Sequence, residues 1–149
     1  MQARCDLADE SKVETRQWHY DYEDERIIKI IIYLKDVGED GGPFCYVPKV
    51  ANIKAKYTNN RILDEDLDPL LLKNQKKCVG LKGTVLFVDT CSILHRGAVP
   101  KVHQDRYTLW YVYNSRSPLQ PNFCQPFYQN EWISSIKQNL TPTQLETLN

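Results

Sequence analysis

Short apolar runs punctuated by Gly and Pro dominate this chain, and that pattern predicts a mostly β domain. Residues 26–34 form an isoleucine-rich run that reads as a strand and ends at the turn Gly38-Glu39-Asp40-Gly41-Gly42-Pro43. A second strand over residues 44–48 follows at once, so the two are expected to form a hairpin with a longer loop. Residues 83–93 (GTVLFVDTCSI) read as one buried strand, and residues 106–113 (RYTLWYVY) as another, dense in aromatic and β-branched side chains.

Helical spacing is confined to two places. Over residues 64–75 an acidic start followed by Leu67, Leu70, Leu71 and Leu72 predicts a short helix, limited by Pro69 to its first turn or so before any kink. Near the end, Trp132, Ile133, Ile136 and Leu140 share a helical face, and Thr141-Pro142-Thr143-Gln144 matches a capping box with Pro at the first position. Both read as packing elements. Residues 114–149 are therefore expected to form a C-terminal packing segment.

At 149 residues with 42% hydrophobic content, the chain fits one domain with a single core. Its 19 Lys+Arg balance its 19 Asp+Glu, which excludes the basic footprint of a nucleic-acid binder and directs attention to small-molecule partners. The five cysteines are scattered, with no C-x-x-C pair, and read as free thiols in a reducing compartment. The first fourteen residues are polar and acidic, unlike a signal peptide. The longest apolar run, residues 27–34, contains Lys29 and is far too short to span a bilayer. A soluble, cytoplasmic protein is the expectation.

The chemistry concentrates in Trp18-His19-Tyr20-Asp21, an H-x-D pair. In an extended segment, residues two apart project to the same side, so one imidazole and one carboxylate can meet one ion. A second imidazole, His95, arrives at the end of the run over residues 83–93. Two His and one carboxylate form the facial triad of non-haem iron(II) oxygenases, which leaves coordination positions open for a co-substrate and dioxygen. Arg106 lies eleven residues after His95, on a strand face shared with Thr108, Trp110 and Val112. A guanidinium there can grip the far carboxylate of 2-oxoglutarate with two hydrogen bonds, which a lysine does less specifically.

Rival donors are weaker. His103 sits among Lys101, Gln104 and Asp105 and reads as a solvated loop residue; as a ligand it would also lose the arginine spacing. Glu23 shares parity with Asp21 but lies about 7 Å further along an extended segment. Arg96, Lys101 and Arg116 read as solubilising charges, with contact to an anionic substrate as the alternative.

On these residues the chain resembles the phytanoyl-CoA dioxygenase-like family of Fe(II)/2-oxoglutarate-dependent oxygenases. The likeness runs from about Gln17 to Tyr113: QWHYD at residues 17–21, IIYLKDVGEDGGPF at 31–44, GTVLFVDTCSILHRG at 83–97, and Arg106 at the family's distance from the second histidine. The resemblance implies a double-stranded β-helix (jelly-roll, cupin-like) with short peripheral helices. It implies iron held by His19, Asp21 and His95, 2-oxoglutarate anchored by Arg106 with a contribution from Tyr33, and dioxygen as oxidant. Hydroxylation of a small organic or acyl substrate is the implied reaction, since Asp21 stands where a halogenase has a small residue. The alternative is a truncated or degenerate member that binds metal or ligand without efficient turnover. Two departures bear on it. Gly97 stands where the family has a small hydroxyl residue, and only eighteen residues precede His19. Residues 1–14 are accordingly expected to be poorly packed, leaving a strand edge exposed.

Overall fold

A computed structural model of the chain describes residues 2–9, 11, 14–49, 57, 61–124 and 137–143. Among them, seven strands form two antiparallel sheets: β1 (Gln2–Asp6), β2 (Ile28–Tyr33), β3 (Phe44–Val47), β4 (Lys76–Cys78), β5 (Val85–Asp89), β6 (Leu94–Gly97) and β7 (Arg106–Tyr113). One sheet has the order β1-β7-β2-β5 and the other β4-β3-β6. The extended stretch at His19 joins the second sheet beside β6 through a single bridge to His95. Among the described residues, no helix is long and apolar enough to cross a membrane.

Alternation along each strand sorts side chains between faces. On β2, Ile31 and Tyr33 turn inward and are buried with Val37, Phe44 and Val88 between the sheets. Each such fully buried aliphatic or aromatic side chain contributes about 1.5–3 kcal/mol. The outer face of the same sheet keeps Ile28, Val85, Phe87 and Tyr113 exposed. Strand β3 is buried on both faces. Phe44 faces the first sheet, whereas Cys45 and Val47 join a second cluster with Trp18, Ile62, Leu67, Leu71 and Leu94.

Four expectations need correction. The runs at residues 26–34 and 44–48 do not form a hairpin, because β2 and β3 belong to different sheets. The intervening loop carries the chain across, and Gly42 serves it with φ +69° where an added Cβ would lie 2.7 Å from the Ala98 carbonyl oxygen. The stretch 83–93 is likewise two elements. After β5 the chain turns at Thr90, whose N–H bonds Ile27 O and whose carbonyl accepts Asp21 N–H, and it re-enters the other sheet as β6.

The helical run over residues 64–75 splits into a 3-10 turn (Asp64–Asp66) and helix α1 (Pro69–Lys73). Pro69 starts α1 rather than kinking it, since the first helical position needs no N–H donor, and the Asp68 side chain caps Leu70 N–H. Lastly, β1 pairs with β7 from Gln2↔Trp110 to Asp6↔Arg106, so the N-terminal segment is packed as a strand and that flank of β7 is not exposed. The expected helix at residues 130–140 lies largely outside the described residues; Lys137–Asn139 form a 3-10 turn. Gln144 of the capping box also lies outside them.

Candidate metal centre

His19 and His95 exchange both main-chain hydrogen bonds, each 3.0 Å. Directly opposed residues of an antiparallel pair present their side chains on one face, and the two imidazole centroids stand 4.3 Å apart. Asp21, two residues on, returns to that face because its own N–H is held by Thr90 O at 3.1 Å. Its Oδ1 lies 3.7 Å from His19 Nε2 and 3.9 Å from His95 Nε2. One ligand atom from each of the three residues lies within 4.8 Å of the others, and all three residues are buried.

Both rings are held alike. Nδ1 of His19 is 2.7 Å from Gln17 O, and Nδ1 of His95 is 3.1 Å from Ile93 O. A carbonyl only accepts, so each Nδ1 carries the hydrogen and each Nε2 presents its lone pair beside Asp21, as metal-bound histidines require. Phe44 stacks on the His95 ring with centroids 5.4 Å apart.

The charge states agree. Burial lowers the His19 pKa to about 3, helped by the neighbouring His95 and Arg61 charges. Burial also lowers His95 to about 4, against the pull of Asp21. For Asp21, burial favours the neutral acid, but the Lys29 ammonium and His95 outweigh it and hold the carboxyl at about 2. At neutral pH the cluster is therefore two neutral imidazoles and one carboxylate, the protonation state in which these groups ligate a divalent metal. The donor set and its geometry fit such an ion.

Lys29 is the residue that pattern reading passed over. It shares parity with Ile31 and Tyr33, so its stem runs along the inner face of β2, and Nζ sits 2.5 Å from Asp21 Oδ2 and 5.5 Å from the Trp110 ring centre. A lone charge inside an isoleucine run was the available signal. With Oδ2 held by Lys29, Oδ1 is left facing the two Nε2 atoms.

Arg106 points inward, as its strand parity predicts, and leans over the bare backbone of Gly97, where an added Cβ would be 2.6 Å from Nη2. Gly97 thus makes room for the guanidinium. The fork is not free, however. Nε and Nη2 donate to Asp6 Oδ2 at 3.1 and 2.8 Å, and Nη1 donates to Gly42 O. The register of β1 sets Asp6 directly across from Arg106, and this is what brings the carboxylate to the fork. Nothing in the sequence near Asp6 signals that pairing.

The Tyr33 hydroxyl donates to Cys78 O at 2.7 Å and accepts Phe44 N–H at 3.1 Å, tying β2 to the opposite sheet. Burial raises its pKa to about 12. His103 is exposed on a loop with φ +64°, apart from the metal cluster. Arg96 pairs with Asp64 at 2.7 Å over the Trp18 ring, and Lys101 pairs with Asp40 at 2.8 Å.

No family model and no curated protein matches the chain.

Proposed function

We propose that this chain is an Fe(II)- and 2-oxoglutarate-dependent dioxygenase that hydroxylates a small organic or acyl substrate. The observation that carries the reading is the convergence of His19 Nε2, Asp21 Oδ1 and His95 Nε2 on one buried point between two sheets. Two neutral imidazoles and one carboxylate suit iron(II) and leave coordination positions open. The strand orders β1-β7-β2-β5 and β4-β3-β6, with the His19 segment beside β6, support a double-stranded β-helix. Five free thiols favour a cytoplasmic setting.

Bound iron supplies the redox chemistry by which one atom of dioxygen goes into succinate, formed with carbon dioxide from 2-oxoglutarate, and the other into a substrate C–H bond. The chain's own residues bind and orient. His19 and His95 give their Nε2 lone pairs because Gln17 O and Ile93 O hold the Nδ1 hydrogens. Lys29 keeps Asp21 ionised and its Oδ1 turned to the site. Arg106, whose fork Asp6 holds in this structure, is the guanidinium that would take the distal carboxylate, and Phe44 and Trp110 bring apolar surface toward the centre.

A second reading keeps the metal site but drops efficient turnover, and the Asp6 carboxylate on the Arg106 fork favours it. One assay separates the two: succinate release from 2-oxoglutarate by the purified chain, with and without added iron(II), across a panel of candidate substrates. Iron-dependent succinate supports the dioxygenase. Tight metal binding without succinate under any condition leaves the binding protein.

A further inference from the structure

The Arg106–Asp6 pair has the form of a subsite filled by the chain itself. Both side chains are buried, at 4% and 7% exposure, and they come from positions 100 residues apart. Yet Asp6 meets the fork with one oxygen only, since Nε and Nη2 both donate to Oδ2. A carboxylate that offers both oxygens in parallel makes the stronger pair with a guanidinium. The other Asp6 oxygen, Oδ1, already lies 3.7 Å from Arg4 Nη2. Arg4 is partly exposed and packed over the Trp110 ring at 4.9 Å. Nη1 of Arg106, bonded to Gly42 O, keeps the guanidinium in place whichever carboxylate is present.

From this arrangement we infer that Asp6 is an internal competitor for the carboxylate subsite: a dicarboxylate co-substrate enters by displacing Asp6 from Arg106 onto Arg4. The inference rests on the reading of Arg106 as the co-substrate anchor. Asp6 is the last residue of β1, so the exchange needs a side-chain rotation and leaves the β1–β7 pairing intact. Because Asp6 moves from one guanidinium to another, displacement does not strand a buried charge. Apparent affinity for the incoming dicarboxylate is then reduced by the fraction of molecules in which Asp6 holds the fork.

The test uses the full chain with Mn(II) in place of iron, titrated with 2-oxoglutarate and separately with glutarate, which carries the two carboxylates without the keto group. Asp6→Asn is expected to bind both about tenfold more tightly than the native protein, as for a fork held by Asp6 some nine-tenths of the time, with Mn(II) affinity unchanged. Should Asp6→Asn fail to fold, Arg4→Met decides: without its alternative partner Asp6 stays on Arg106, and 2-oxoglutarate binding weakens. Equal or weaker binding by folded Asp6→Asn, or an unchanged affinity in Arg4→Met where that variant decides, makes the pair a permanent structural contact and overturns the proposal. Binding of neither dicarboxylate by any of these proteins overturns the reading of Arg106 as an anchor, and the competition falls with it.

Discussion

Lys29 Nζ stands 2.5 Å from Asp21 Oδ2 while Oδ1 of the same carboxylate faces the Nε2 atoms of His19 and His95. One carboxylate is thus divided between a fixed cation of the protein and the place where a metal ion fits. Lys29→Met removes the charge and keeps much of the stem, leaving Asp21 buried without its cation. The metal-free protein should lose about 1–3 kcal/mol of stability, the cost of an unpaired buried polar group. Bound Mn(II) should recover part of it, so the metal-induced rise in melting temperature is larger in Lys29→Met than in the native protein. An equal rise in both would show that Lys29 does not stabilise Asp21.

Removing a ligand is a more direct test. His19→Ala or His95→Ala deletes one of three donors from a site with no spare neighbour among the described residues. Mn(II) or Co(II) affinity should fall by on the order of 100-fold or more, beyond the typical cost of losing a supporting residue. His103→Ala, on its exposed loop, should leave it unchanged. Calorimetric titration of the three variants checks both statements.

The histidines also set a pH signature. Their pKa values are lowered from 6.5 to about 3 and about 4, so below pH 6.5 the unfolded chain binds protons that the folded chain does not. Their contribution to stability is therefore fully present above pH 6.5 and is lost as pH falls from 6.5 toward 3. Asp21, lowered from 3.8 to about 2, adds a loss only below pH 3.8. Metal binding to the folded protein behaves differently, because both imidazoles are already neutral. Mn(II) affinity should change less than about twofold between pH 7.5 and 5.5, whereas two histidines of ordinary pKa would lose roughly 100-fold. A loss of that size would show that the rings titrate as if exposed.

Gly97 tests the packing around Arg106. A Cβ there would meet Nη2 at 2.6 Å and Nη1 at 3.2 Å, and the guanidinium is held by Asp6 and Gly42. Gly97→Ala should cost about 1–3 kcal/mol, as overpacking of a filled interior does. Gly38→Ala, where nothing lies within 4 Å, should cost under about 1 kcal/mol. Urea unfolding of the two variants makes the comparison.

Much of this molecule is legible along the chain. β7 occupies residues 106–113 as the aromatic and β-branched run predicts, and β2 falls inside the isoleucine run. His19 and Asp21 share a side because two-residue spacing on an extended backbone is a local rule, independent of the rest of the fold. Arg106 faces inward for the same reason. Parity names the face of a residue but not its partner across the gap. Whether residues 83–93 stay in one sheet or cross at Thr90 depends on Ile27 O and the Asp21 N–H, which come from distant parts of the chain. The same holds for Lys29 on Asp21 and for Asp6 on Arg106. These pairings arise only when the strand registers bring separate segments together, and the buried setting then makes charge neutralisation strong enough to decide which partner each group takes.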